Sequence, residues 1–304
     1  MTGVLLMTYG APDGDADLPR YLAAVRGGRA ADPALVTEMA RRYAAIGGSP
    51  LVARTIAQAG ALERELGAGY ACAAGMRFSP PSISDGATSL AERGATRIAG
   101  ICMSPQWSPL LMAGYERELR EAGERLGLPV AIAGAWHRER LFIDALAERM
   151  REALDGLDDP FVLLTAHSLP KRVFEAEPGY IAQLRETGDL AAAAAGLAPE
   201  RCRWAYQSAG HTREEWLRPD LVELFPEIAA SGARDILVVP VQFLSDHLEV
   251  LYDLDVAAAA QAGEAGLAYH RIAMPNTHPT FIRALASIAR ATEAGLADAV
   301  RTRA

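Results

Sequence analysis

The chain has 304 residues, half of them apolar and 22% charged, with a formal net charge of −8. This length fits one or two globular domains with a large core, and the acidic balance excludes a nucleic-acid binder, which needs a basic face. No uncharged apolar run reaches about 18 residues, and residues 1–10 carry neither a basic start nor a cleavage site, so a cytoplasmic protein without a transmembrane segment is expected. Along the first half, short apolar runs predict strands over residues 4–7, 71–76, 98–103 and 130–135. Leu35, Met39, Tyr43 and Ile46, and then Tyr115, Leu119, Ala122 and Leu126, recur at helical spacing between them. The second half repeats the rhythm, with strands expected over residues 161–165, 203–207, 236–241 and 268–272 and helices between. Strands alternating with helices predict an α/β fold built on parallel sheets. Cys72, Cys102 and Cys202 are widely separated and form no CxxC, so free buried thiols are expected rather than a disulfide framework or a four-cysteine cluster.

The halves also match each other in detail. Val4-Leu-Leu-Met-Thr-Tyr9, closed by Pro12, aligns with Val162-Leu-Leu-Thr-Ala-His167, closed by Pro170. Gly94-Ala-Thr-Arg-Ile98 aligns with Gly232-Ala-Arg-Asp-Ile236, and Phe142-Ile-Asp-Ala-Leu146 with Phe281-Ile-Arg-Ala-Leu285. The chain therefore reads as two similar αβ domains, residues 1–145 and 146–304. The first carries extra residues between Tyr9 and Gly94, and the last helix is expected to pack back on the first domain. Ligands of open parallel sheets bind beyond the carboxyl ends of the strands, so two such domains enclose a cleft there, with Tyr9 and His167 at equivalent strand ends. Neither first strand is followed by GxGxxG or GxxxxGK[ST], which argues against a nucleotide.

Three stretches could carry chemistry. His167 closes an apolar strand before a proline-bounded turn. Strand-end histidines are often structural, but at a cleft the imidazole suits proton transfer or metal binding. Asp246, Glu249 and Asp253 follow the strand at residues 236–241 and would share one helical face. Like charges crowded there cost free energy unless a cation or a proton relieves them, although solvated acidic faces are common. Arg20, Arg26, Arg29, Arg41 and Arg42, leading through Tyr43 to Gly47-Gly-Ser-Pro50, could receive a polycarboxylate, since guanidinium binds carboxylate bidentately. Trp107, Leu110, Leu111, Met112 and Tyr115 are either core or the wall of a large planar ligand.

Thr165-Ala-His-Ser-Leu-Pro170 with Ser245-Asp-His-Leu-Glu-Val-Leu-Tyr-Asp253, together with Arg42-Tyr-Ala-Ala-Ile-Gly-Gly-Ser-Pro50 and Trp216-Leu-Arg-Pro-Asp220, resembles the ferrochelatases over nearly the whole chain. The resemblance implies two Rossmann-like, chelatase-type domains of parallel sheets flanked by helices around a porphyrin cleft. It implies that His167 and Glu249 act on the metal and the pyrrole nitrogens, as proton acceptor or as ligand, and that Asp253 continues an acidic metal relay. Tyr9 stands where protoporphyrin-using relatives carry methionine, which implies the branch that metallates coproporphyrin III, with Tyr9 as axial ligand to the product iron. Arg26, Arg42, Tyr43, Ser49, Tyr115 and Tyr9 would contact that substrate. Ferrous iron is then a substrate, and neither a permanently bound cofactor nor an iron–sulfur cluster is expected. A monomer is expected, with transient contact to neighbouring haem-pathway enzymes. Gln106 and Ala257 replace a histidine and a carboxylate of proposed metal-delivery sites in relatives. The alternatives are a protoporphyrin IX ferrochelatase, a sirohydrochlorin chelatase for cobalt or nickel, and a non-enzymatic haem carrier.

Overall fold

The structure, a computed structural model, describes residues 1–210 and 214–301, with side chains through Leu296. The first series of elements comprises β1 (Thr2–Thr8), α1 (Leu18–Val25), α2 (Pro33–Ala45), α3 (Leu51–Leu66), β2 (Tyr70–Met76), α4 (Ile83–Glu92), β3 (Arg97–Cys102), α5 (Pro109–Leu126), β4 (Val130–Ile132) and α6 (Arg140–Leu154). The second comprises β5 (Phe161–His167), α7 (Lys171–Ala176), α8 (Pro178–Ala195), β6 (Cys202–Gln207), α9 (Leu221–Ala230), β7 (Asp235–Pro240), a π-helix (Glu249–Ala258) continued by α10 (Ala259–Glu264), β8 (Ala268–Arg271) and α11 (Pro279–Arg301). Each series forms a four-stranded parallel sheet, in the orders β2-β1-β3-β4 and β6-β5-β7-β8. The two orders superimpose term for term. β1 and β5 occupy the same inner place, so the duplication read from the sequence is a duplication of topology.

Sheets covered on both faces select continuous apolar strands, and β1 is buried along its whole length. Alternate residues of the strands feed different layers. Val4 and Leu6 from β1 join Val162 and Leu164 from β5, and Leu237 and Val239 from β7, in one core that also takes residues of α3, α6, α8 and α11. Leu5 and Met7 pack outward on α4 and α5, and Leu163, Ile236 and Val238 pack outward on α9 and α10. The outer helices α4 and α9 start alike, each with a capping box, Ser82 with Asp85 and Asp220 with Glu223.

The inner layer is where the halves interlock. Helix α6 lies against α8 and β7 of the second half, while α11 lies against α3, β3 and β4 of the first. Each half therefore donates its last helix to the other sheet. The boundary at residues 145/146 falls inside α6, and Phe142 meets its repeat equivalent Phe281 with ring centroids 6.3 Å apart. The extra segment of the first half is the pair α1 and α2, whose apolar faces close on Leu18, Tyr21, Leu22 and Tyr43 and reach Leu248, just before the π-helix. The strand expected over residues 130–135 stops at Ile132. β4 pairs only with β3, and beyond the Ala133 bond to the Gly100 carbonyl the chain turns so that Trp136 bonds to Pro105.

Candidate functional site

The carboxyl ends of β1, β5 and β7, with the α1–α2 segment, converge on one site. His167 is the last residue of β5, and its Nε2 stands 3.6 Å from Oε1 of Glu249. The loop after β7 delivers Glu249 as the first residue of the π-helix, a rare wide geometry that often marks functional sites. The separation exceeds a hydrogen bond yet is less than twice a first-row metal–nitrogen distance of about 2.1 Å, so one ion or one migrating proton can address both groups. His167 Nδ1 is held by the Ser168 carbonyl, which leaves Nε2 facing the carboxylate.

The third member is His247, whose Nε2 lies 3.7 Å from the other oxygen, Oε2, of Glu249, with Nδ1 2.9 Å from the Ser245 carbonyl. Burial works to raise the Glu249 carboxyl, but the two imidazoles overcome it and hold the group at about 2, well below its ordinary value. Glu249 is thus anionic throughout the neutral range. Burial lowers His247, and the Glu249 contact reverses this to a net upward shift. Glu249→Gln should therefore move the His247 titration to lower pH, which the imidazole carbon-bound proton shifts in an NMR pH series will report. An unchanged midpoint would mean that the two groups do not share a field.

Tyr9 follows β1 at the position topologically equivalent to His167. It remains 43% exposed with its ring edge-on to Phe78 at 4.6 Å. Crowding by surrounding protein, then the Glu249 charge, push its hydroxyl up to about 12, against the pull of Arg77. Arg77 runs over the rings of Phe78 and Tyr115, at 4.8 and 5.3 Å, and reaches Glu118 at 3.7 Å. Gly114 on α5 makes room for it, since a Cβ there would lie 2.1 Å from the guanidinium. Tyr21 and Tyr43 are buried together and feel the same Glu249 charge.

The three carboxylates expected on one helical face are not together. Asp246 precedes the helix and is turned aside. Its Oδ2 accepts from Asn276 at 2.8 Å and pairs with Arg54 at 3.5 Å. Asp253 does lie further along the π-helix, raised by burial and by Glu249, with Arg42 Nη1 3.4 Å away. Nor do the arginines form one open patch. Arg20 is paired with Asp17, and Arg41 and Arg42 both hold Glu38. Arg26, at the end of α1, is exposed, with Arg29 donating to its carbonyl. Ser49 is half-buried before α3 and accepts from the Leu51 amide at 3.4 Å. Tyr115 is buried beside Met112 and Leu119 in the outer core, a place its helical period fits equally well. Gln106 is fully buried and donates to Thr187 on α8, bracing the two halves rather than facing the cleft. Among the described residues, no group of three His, Cys, Asp or Glu side chains is arranged to hold a metal ion. Sequence reasoning gave no role to His247, Arg77 or Tyr21. His247 was signalled by its place two residues before Glu249, Arg77 only by directly following the strand predicted over residues 71–76, and Tyr21 by nothing.

A family model described as Ferrochelatase matches residues 1–293. The chain belongs to the ferrochelatase family, whose reaction is the insertion of iron into a porphyrin. It is 38% identical over 297 residues to a ferrochelatase of Deinococcus radiodurans, covering 94% of each chain. It is 34% identical to the coproporphyrin III ferrochelatase of a Geobacillus species and 33% to that of Bacillus subtilis, each over 94% of this chain and 96% of the relative. Among solved structures, the fold is similar to SirB from Bacillus subtilis, at TM-score 0.57 and 14% identity over 96% of this chain and 95% of that one. It is also similar to CbiX, the terminal enzyme of siroheme biosynthesis in denitrifying bacteria, at 0.54 and 15% over 95% and 98%. Those likenesses support the two-domain α/β fold.

Proposed function

We propose that this ferrochelatase inserts ferrous iron into coproporphyrin III, with His167 and Glu249 acting together on the metal and the pyrrole protons and with Tyr9 ligating the iron of the product. The observation that carries the reading is the strand-end constellation. An imidazole and a carboxylate stand 3.6 Å apart on one half, and a phenol directly follows the equivalent strand of the other. Metallation must remove two pyrrole protons while hydrated iron sheds water. A carboxylate attracts the cation, and the imidazole beside it can accept a proton or ligate the metal. The Tyr9 phenol is protonated at neutral pH, and iron held in the ring would favour its phenolate, which suits Tyr9 to ligate the product.

Substrate choice rests on Tyr9 and on charge. A tetra-anionic ring approaching a chain of net charge −8 needs local cations, which Arg26 and Arg42 supply from the α1–α2 segment, while Tyr43, Ser49 and Tyr115 complete the proposed contacts to the ring. Asp253, linked to Arg42, would connect that rim to the iron path. Iron enters as substrate, and no resident cofactor is required. The unit of action is the single chain, since both walls of the cleft come from it. No helix of the described residues is long and apolar enough to cross a membrane.

The test is to add ferrous iron anaerobically to apo-protein holding either coproporphyrin III or protoporphyrin IX and to follow the visible bands. Coproporphyrin III should be metallated at least about tenfold faster, a difference of about 1.4 kcal/mol in the barrier. Tyr9→Met should change the visible spectrum of the bound product while leaving insertion measurable. Equal rates with the two porphyrins, and a product spectrum indifferent to the substitution, would overturn the proposal.

A further inference from the structure

The β5–β7 ladder ends at the pairing of Thr165 with Pro240, and the last backbone rung is the Val241 amide donating to the Thr165 carbonyl at 3.0 Å. Continued parallel pairing would offer a β7 carbonyl to the amide of His167, but the chain leaves the sheet there. The side chain of Gln242 takes that rung. Its Oε1 accepts from the His167 amide at 2.9 Å, and its Nε2 donates to the Tyr180 hydroxyl at 2.9 Å. Tyr180, on α8, is only 3% exposed and so provides a fixed anchor. On the other edge, Ser168 donates to the Gln207 carbonyl at 2.7 Å. The catalytic strand end is held from both sides, by backbone toward β6 and by one carboxamide toward β7.

We infer that Gln242 is a positioning residue that sets the place of His167 relative to Glu249. The inference rests on the proposed function, because it gives that pair its task. Its strength lies in connectivity. Gln242 and Glu249 belong to one loop, so the segment that carries the carboxylate also grips the backbone of its imidazole partner. That loop is itself clamped farther along. Fully buried Gln58 of α3 donates to Ser245 Oγ and to the Asn276 carbonyl, each at 2.9 Å, and Asn276 Oδ1 accepts from the Asp246 amide at 3.0 Å. A loop fixed at both ends transmits little slack, and reactive groups displaced by about 1 Å lose about 10²-fold in rate.

The experiment compares Gln242→Leu, which keeps the bulk and loses both hydrogen bonds, with Gln242→Glu, which keeps an acceptor for the His167 amide. Two readouts are taken on the full chain: amide hydrogen exchange at His167 by NMR, and steady-state iron insertion. The Leu variant should exchange at His167 about tenfold faster or more, and kcat should fall by about tenfold or more while the porphyrin KM stays within about threefold. The Glu variant should return both quantities to within about threefold of the wild type. A Leu variant with wild-type exchange and kcat overturns the inference, as does a Glu variant no better than the Leu variant. If Gln242→Leu does not fold, the Glu variant decides alone, since slow exchange at His167 supports the brace and fast exchange removes it. A wild type that metallates no porphyrin would refute the functional reading, whereas the exchange comparison would still judge the brace.

Discussion

His167→Ala and Glu249→Gln should each lower the rate of iron insertion by about 10²–10⁴-fold, the range a positioned acid–base group contributes, with no loss of the fold. The fold should survive because both side chains are partly open to the cleft, His167 at 25% and Glu249 at 36% exposure, and neither fills a core position. The chemistry should fail for different reasons in the two variants. Removing the imidazole leaves the anion without a neighbour that can take a proton or share a ligand position. The Glu249→Gln side chain keeps nearly the same shape and loses the charge that draws in a dication. Added imidazole should therefore rescue His167→Ala, and nothing comparable should rescue Glu249→Gln short of higher iron concentration. Anaerobic single-turnover assays with a defined porphyrin, with circular dichroism as the check on folding, measure all of this. Full activity in either variant would show that insertion happens elsewhere.

The central pair was legible because two independent signals coincide there. An apolar strand ends in histidine at the place where the duplicated strand ends in tyrosine, and the motif around Glu249 begins just beyond another buried strand. The strands themselves were legible because sheets covered on both faces demand unbroken apolar runs, as in β1 and β7. What failed to show has physical reasons. Periodicity says that a face is buried, never against which sheet, so Phe142 and Phe281 marked equivalent helices without showing that α6 docks on the second half. Carboxylates at residues 246, 249 and 253 fit an α-helical face on paper. A helix that starts only at Glu249 and runs with π geometry separates the first of them. Tyr115 has the spacing of a core residue and of a ligand wall alike, so periodicity could not show that it packs beside Met112 and Leu119. Gln242 left a faint trace, a lone amide directly after the apolar strand, whose partners lie far away in sequence.

The exchange of α6 and α11 carries the second large effect. Phe142 and Phe281 are both fully buried, with Trp136 edge-on to Phe142 at 5.2 Å, and they sit in the one core that both sheets share. Truncation there removes a large ring from a layer whose neighbours are strands and helices of both halves and cannot collapse inward. Phe281→Ala should therefore cost about 3–5 kcal/mol, a large fraction of the roughly 5–15 kcal/mol by which proteins of this kind are stable. The manner of unfolding separates an interlocked pair of halves from two domains that merely touch. If each half had its own core, the variant would loosen one half first, and a denaturant titration would split into two steps. Because α6 completes the second sheet and α11 the first, neither half can keep its inner face covered once the other opens. Tryptophan fluorescence, which samples buried Trp136 in the first half and Trp204 on β6 in the second, should then fall in a single transition coincident with far-ultraviolet circular dichroism, shifted to lower denaturant with an unchanged slope. Phe142→Ala should give the same shift and shape, since its ring meets the same core from the equivalent helix. Two separated steps in either variant would mean that the helices dock on the opposite sheet without being needed to hold it.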